Sequence, residues 1–300
     1  MKFKNLPNIF MLLKTAAIDL RRNDPLRLGA ATAFFTIFAL PFILIFLINL
    51  FGLLFSQEIV SGEIFALLRR HIGTDSAGQV QRILENFQKS VNDPIYVTLG
   101  TIFLLFVSTT LFIVIQNSIN QLWQIKHKSD HQIQRAAKDR AISLGIIIFS
   151  GIIFLAAVLS DVLLAFLGDL LHELEPTLDI FVLKIANKVV SILLTTIWFA
   201  ILFRYLPNAR IQWSAIWWGA AITSILFAIG EFVLGKVLID SSIGSFYGAA
   251  SSIVLVLLFV FYSSIILYFG ASFIKAYAGE MEMEIEPKVY ASKYKIEEIE

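Results

Sequence analysis

Cysteine is absent from these 300 residues, which removes disulfides, thiolate metal sites and thiol catalysis together and leaves the redox compartment open. Charge is scarce: 16 % of residues are Asp, Glu, Lys or Arg, against about 25 % in soluble domains. The 24 Lys+Arg and 23 Asp+Glu nearly cancel, so there is no basic excess for a nucleic acid partner. HExxH, a phosphate-binding glycine loop, a nucleophile elbow and an acidic metal cluster are all missing. The chain therefore reads as a non-enzyme without a cofactor. Residues 1–29 do not read as a signal peptide, because Lys14 and Asp19 break the apolar stretch and no small-residue cleavage site follows.

What is present is apolar. Hydrophobic residues make up 57 % of the chain, 27 of them Phe, and the mean hydropathy is +0.77. A bilayer core about 30 Å thick needs about 20 apolar helical residues. Six segments meet or approach that length: residues 30–54, 95–115, 141–160, 180–203, 211–230 and 248–274. They lack the alternation of a barrel strand, and open strand edges cannot face lipid. The fold class is thus all-α: a polytopic membrane protein with six transmembrane helices in a membrane domain over residues 30–278.

Basic residues set the expected orientation. Seventeen of the 24 lie in the N-terminal segment, in connections 2–3 and 4–5, and in the tail. Both termini should therefore be cytoplasmic. Residues 8–22 repeat Leu and Ala at helical spacing, as an interfacial amphipathic helix does. Residues 56–93 hold two amphipathic patterns, 59–71 and 79–91, around Gly73, which predicts an external helical hairpin. Residues 279–300, with seven acidic side chains and no apolar period, read as a solvated, mobile cytoplasmic tail.

Several positions have two readings. Pro41 sits mid-span and should kink or break its helix, either for packing or to line a cavity. Gln116, Asn117, Asn120 and Gln121 form two i,i+4 amide pairs, which either bond across helices or touch a substrate. Arg204 and Tyr205, followed by Pro207 and by Trp213, Trp217 and Trp218, form an interfacial anchor or a cationic contact to an anionic substrate. Glu231 points inward or to water. Tyr247 and Gly248, within Gly244-Ser245-Phe246-Tyr247-Gly248, belong to a packing seam or a re-entrant turn. His127 and His131 have metal-like i,i+4 spacing but lie in a basic loop with no third ligand.

Three groups of residues are similar to a known family. The first is Ala30-Ala31-Thr32-Ala33-Phe34-Phe35 leading to Pro41, and the second is Arg204-Tyr205-Leu206-Pro207 with Trp213 and Gly219-Ala220. The third joins Tyr247-Gly248-Ala249-Ala250, Tyr262-Ser263-Ser264 and Phe269-Gly270-Ala271-Ser272-Phe273. Together they resemble the YihY/BrkB family of bacterial inner-membrane proteins, once labelled ribonuclease BN, over roughly residues 20–278. The resemblance implies a six-helix inner-membrane protein with a part in envelope integrity, serum resistance or transport of lipid-like substrates. Family members commonly carry Glu where Ser272 stands, and many carry Gln where Ile265 stands. Any mechanism resting on those two groups is thereby put in doubt.

Three functions compete. The first is a transporter-like protein that binds or moves an anionic lipid, with membrane lipids as its partners. The second is a structural protein that docks other envelope proteins through its hairpin or tail. A ribonuclease is disfavoured, since Asp130, Asp139, His127 and His131 lie scattered among basic residues. The oligomeric state is left open.

Overall fold

A computed structural model describes residues 8–53, 55–89, 94–128, 132–172, 179–234 and 251–295. Its helices are α1 Ile9–Arg22, α2 Pro25–Phe51, α3 Gln57–Ile72, α4 Thr74–Lys89, α5 Pro94–Leu122, α6 Gln132–His172, α7 Asp179–Tyr205, α8 Trp213–Leu234 and α9 Ser251–Glu280. Four short strands complete the elements: β1 Ile125–His127, β2 Ala209–Arg210, β3 Glu286–Pro287 and β4 Ala291–Lys293. Among the described residues, five helical stretches are long and apolar enough to cross a membrane, lying in α2, α6, α7, α8 and α9. The helices outrun the apolar runs, α6 most of all, because the backbone ladder continues into polar flanks.

Local signals explain the helix ends. Asn8 caps α1 by accepting from the Met11 N–H at 3.4 Å, and Pro25, which has no N–H to leave unpaired, opens α2. The amphipathic pattern of residues 8–22 becomes α1, which buries Leu12, Ala16 and Leu20 and packs against α9. The hairpin forms as α3 and α4, turned by Gly73 at φ 81°, where a Cβ would be strained.

The six long helices pack as a closed ring in the order α2, α5, α6, α7, α8, α9 and back to α2. Side chains fill the centre, with Ile119, Leu122, Phe203, Tyr268, Phe273 and Ile274 essentially fully buried. The hairpin rests on α2 and α9 at one end. At the other end α1, both strand pairs and the tail gather; these ends are called here the hairpin side and the tail side.

Two expectations are corrected. Pro41 neither breaks nor ends α2, which stays helical from Pro25 to Phe51. A proline removes one bond of the ladder, and α2, packed between α5 and α9, continues as a helix through the gap. The acidic tail is not a solvated end over the described residues 281–295. Glu282, at φ 54°, reverses the chain after α9, with Met283 N–H donating to Ala278 O at 2.7 Å and Glu282 N–H to Gly279 O at 3.2 Å. β3 then pairs antiparallel with β2, and β4 with β1. Main-chain bonds hold these strands, so an apolar period in the sequence was not required.

Gly270 marks the tightest seam. A Cβ there would overlap Thr223 Oγ1 on α8 and lie 3.1 Å from Thr223 Cβ. Thr223 Oγ1 donates to Gly219 O at 2.6 Å and has no freedom to retreat. Gly270→Ala should therefore destabilise the bundle by about 1–3 kcal/mol, read as a lowered midpoint of thermal unfolding in detergent.

Candidate functional site

The amide pairs of α5 divide between two faces. Gln116 and Asn120 point into the bundle, while Asn117 is exposed. Gln116 Nε2 donates to Leu206 O at 2.8 Å, to Asp139 Oδ1 at 3.2 Å and to Asn208 Oδ1 at 3.3 Å. Asn120 Oδ1 accepts from the Asn208 N–H at 2.8 Å, and its buried Nδ2 makes no hydrogen bond. Gln121, on the outer face with Asn117, accepts from Arg27 Nη2 at 3.0 Å and ties α5 to the start of α2. The inward amides thus bond mainly to the α7–α8 connection, and Gln116 also to Asp139 of α6.

Asp139 and Asn208 are the partners that the sequence concealed. Asp139 stands between Lys138 and Arg140 and looks like part of a solvated charge run, yet it is only 6 % exposed. Asn208 follows Pro207 in a connection and is fully buried. Asp139 and Ser143 share one buried face of α6 at i,i+4 spacing, and Ser143 Oγ donates to Asp139 O at 2.8 Å; that helical spacing of Asp139 with a small polar residue is the one sequence signal for its burial.

Arg204, at the end of α7, donates through Nη1 to Ile211 O and lies 5.3 Å from the Trp213 ring centroid. Both contacts close the α7–α8 connection. Tyr205 is half exposed, and its carbonyl accepts from Lys288 Nζ at 3.2 Å. Trp213 and Trp217 stack at 6.1 Å beside it, partly exposed, as residues at a headgroup level would. Glu231, on α8 at the hairpin side, lies 4.0 Å from Lys188 Nζ. Tyr247 and Gly248 lie outside the described residues, as do Asp130 and His131.

Pro41 lines a cleft. Leu40 and Pro41 of α2, Gln79 and Ile83 of α4, and Ile253 and Val256 of α9 line a small, shallow cleft that opens to the surface. Its walls are mostly apolar. The structure thus separates the sequence candidates: Pro41 belongs to this cleft, Gln116, Asn120, Arg204 and Tyr205 to the tail side, and Glu231 to neither.

Lys288 carries the one shift of protonation that matters on the tail side. Burial, then the charge of Lys138, opposed by Asp139 and reinforced by Arg210 and Arg204, brings its pKa down to about 8. Unfolded, it would hold its proton to 10.5. Between those values the unfolded chain binds more protons, so stability rises with pH across that window. Wild type should gain stability relative to Lys288→Met from about pH 8 upward, measured as thermal midpoints in parallel. Gln116→Leu should cost about 1–3 kcal/mol by leaving buried partners unpaired, seen as a lower unfolding midpoint while the oligomeric state is unchanged.

Sequence comparison places the chain among membrane proteins. It is 25 % identical to a UPF0761 membrane protein of Teredinibacter turnerae over 84 % of this chain and 56 % of the relative. It is 22 % identical to one of Saccharophagus degradans over 83 % of this chain and 55 % of that relative, and 21 % identical to one of Pseudomonas aeruginosa over 81 % and 57 %. The chain thus spans little more than half the length of these curated relatives. No solved structure matches it. The sequence profile described as Virulence factor BrkB matches residues 18–292, nearly the whole chain, and on that match the protein belongs to the BrkB family.

Proposed function

We propose that this BrkB-family chain is a bacterial inner-membrane protein of six spans that binds an amphipathic, anionic lipid and moves or hands it on for envelope integrity. The sixth span is α5, uncharged by sequence from Pro94 to Leu122. Both termini are cytoplasmic in this reading. Its support is that α1, the two strand-forming connections and the described part of the tail share one side of the bundle, and that by sequence the N-terminal segment, those connections and the tail hold seventeen of the 24 basic residues.

The cleft at Pro41 carries the lipid reading. An apolar cleft between two spans and a hairpin, open to the surface, offers apolar side chains against which part of an acyl chain could lie. The reading needs no catalytic step and no cofactor. Ribonuclease chemistry finds little support in Asp139, whose carboxylate is buried and accepts from Gln116.

A second reading, a partner-binding envelope protein, is favoured by one observation. Arg204 and the inward amides already have partners inside the chain, while the hairpin presents Ile59, 61 % exposed, to its surroundings. Mass spectrometry of lipids retained by the purified full chain separates the two. A lipid class enriched over the bulk membrane in wild type and lost several-fold in Ile253→Trp, which fills the cleft, is expected. Lipids that match the bulk membrane in both samples would move the assignment to partner binding, and crosslinking from the hairpin would then identify the partner.

A further inference from the structure

We propose that Lys138, Arg204, Arg210 and Lys288 form a binding site on the tail side for a phosphate group, carried by a lipid headgroup or by a soluble compound. Three separate pieces of chain supply these cations. Lys138 comes from the first turns of α6, Arg204 from the last turn of α7 and Arg210 from β2 just after it, and Lys288 from the segment after β3.

The β2–β3 pair is what joins them. Arg210 stands opposite Glu286 and Ala209 opposite Pro287. The Lys288 N–H donates to Asn208 O at 3.0 Å, and Lys288 Nζ reaches Tyr205 O at 3.2 Å. Lys138 Nζ lies 4.6 Å from the centroid of the Tyr290 ring, two residues beyond Lys288. Among the described residues, two acids face the cluster. Asp139 accepts a bond from Gln116, and Glu286 is exposed beside Arg210. Four cations against two acids leave a positive excess.

Like charges drawn together raise each other's energy, and an anion among them reverses the sign of that cost. Burial first, and then the charges of Lys138, Arg210 and Arg204, lower the affinity of Lys288 for its proton. Phosphate suits the arrangement better than a single carboxylate. It offers oxygens in several directions to cations on three elements, and a guanidinium binds it in a two-pronged fork. Arg210 is exposed and available, and the Trp213–Trp217 stack lies beside Arg204. This site does not rest on the cleft. Ile253 lines the cleft near one end of α9, and the tail begins after Glu280, roughly 40 Å further along the helix.

Calorimetric titration of the full chain in an uncharged detergent tests the proposal. The probes are inorganic phosphate and short-chain phosphatidylglycerol, with short-chain phosphatidylcholine as the zwitterionic control, each at pH 8 in two buffers of different ionisation enthalpy. Saturable binding of at least one anionic probe is expected, with net proton uptake as the anion restores the Lys288 proton. Affinity should fall about tenfold or more in the exposed double variant Lys138→Gln/Arg210→Gln. Binding of inorganic phosphate assigns the site to soluble phosphate compounds, and binding of phosphatidylglycerol alone assigns it to a headgroup. The proposal is overturned if neither anionic probe binds beyond the choline lipid, if the double variant binds as wild type does, or if binding takes up no proton.

Discussion

In hydrocarbon an unpaired peptide group has no water to turn to, and the whole arrangement of this chain follows from that. Within the ring every backbone run is helical, and the hydroxyls mostly bond back to their own helix: Thr36 to Thr32 O, Thr110 to Phe106 O, Ser150 to Ile146 O and Ser263 to Phe259 O. Other polar bonds join one long helix to another. Thr32 meets Tyr268, Trp198 Nε1 meets Ser150 Oγ at 2.8 Å, and Ser224 Oγ meets Ile192 O at 2.9 Å. Extended backbone, by contrast, appears among the described residues only on the tail side, where strand can pair with strand.

The same constraint explains what could be read from the amino acids. The positions of the long helices were legible because lipid demands unbroken apolar length, and both α1 and the α3–α4 hairpin were legible from helical periodicity, with Gly73 between the two helices of the hairpin. The destinations of polar side chains were not. Gln116 and Asn117 are adjacent amides, yet one is 1 % exposed and the other faces outward, a difference set by how α5 is rotated against its neighbours. Pro41 allowed for a break in the helix because sequence shows the missing N–H but not the packing through which α2 continues. The tail announced disorder because its charge is visible and the carbonyls and amides waiting on β1 and β2 are not.

The two ends of the bundle are built on different physics. On the hairpin side, apolar surfaces meet loosely enough to leave a cleft. On the tail side, Lys275 Nζ bonds both Asp19 Oδ1 and Leu122 O at 2.8 Å, and Trp123 Nε1 reaches Ala271 O at 2.9 Å. These contacts fasten α1, α5 and α9 together with charge-assisted bonds close to where water begins. Ser272, where the YihY/BrkB resemblance leads one to look for a carboxylate, is fully buried and its hydroxyl makes no hydrogen bond. A neutral side chain there is compatible with a packed floor in a way that a carboxylate is not.

The strand pairs also impose an order of events on biosynthesis. His127 on β1 pairs with Ala291 on β4, so a ribosome adding ~5–20 residues per second delivers the partner strand roughly 10–30 s after β1 has emerged. Ala209 waits a shorter time for Pro287. Throughout that interval two strand edges stand open while the helices between them are being inserted. The nascent protein therefore carries bare edges on the tail side, and a chain stopped short of Glu286 would keep them, with every long helix already made.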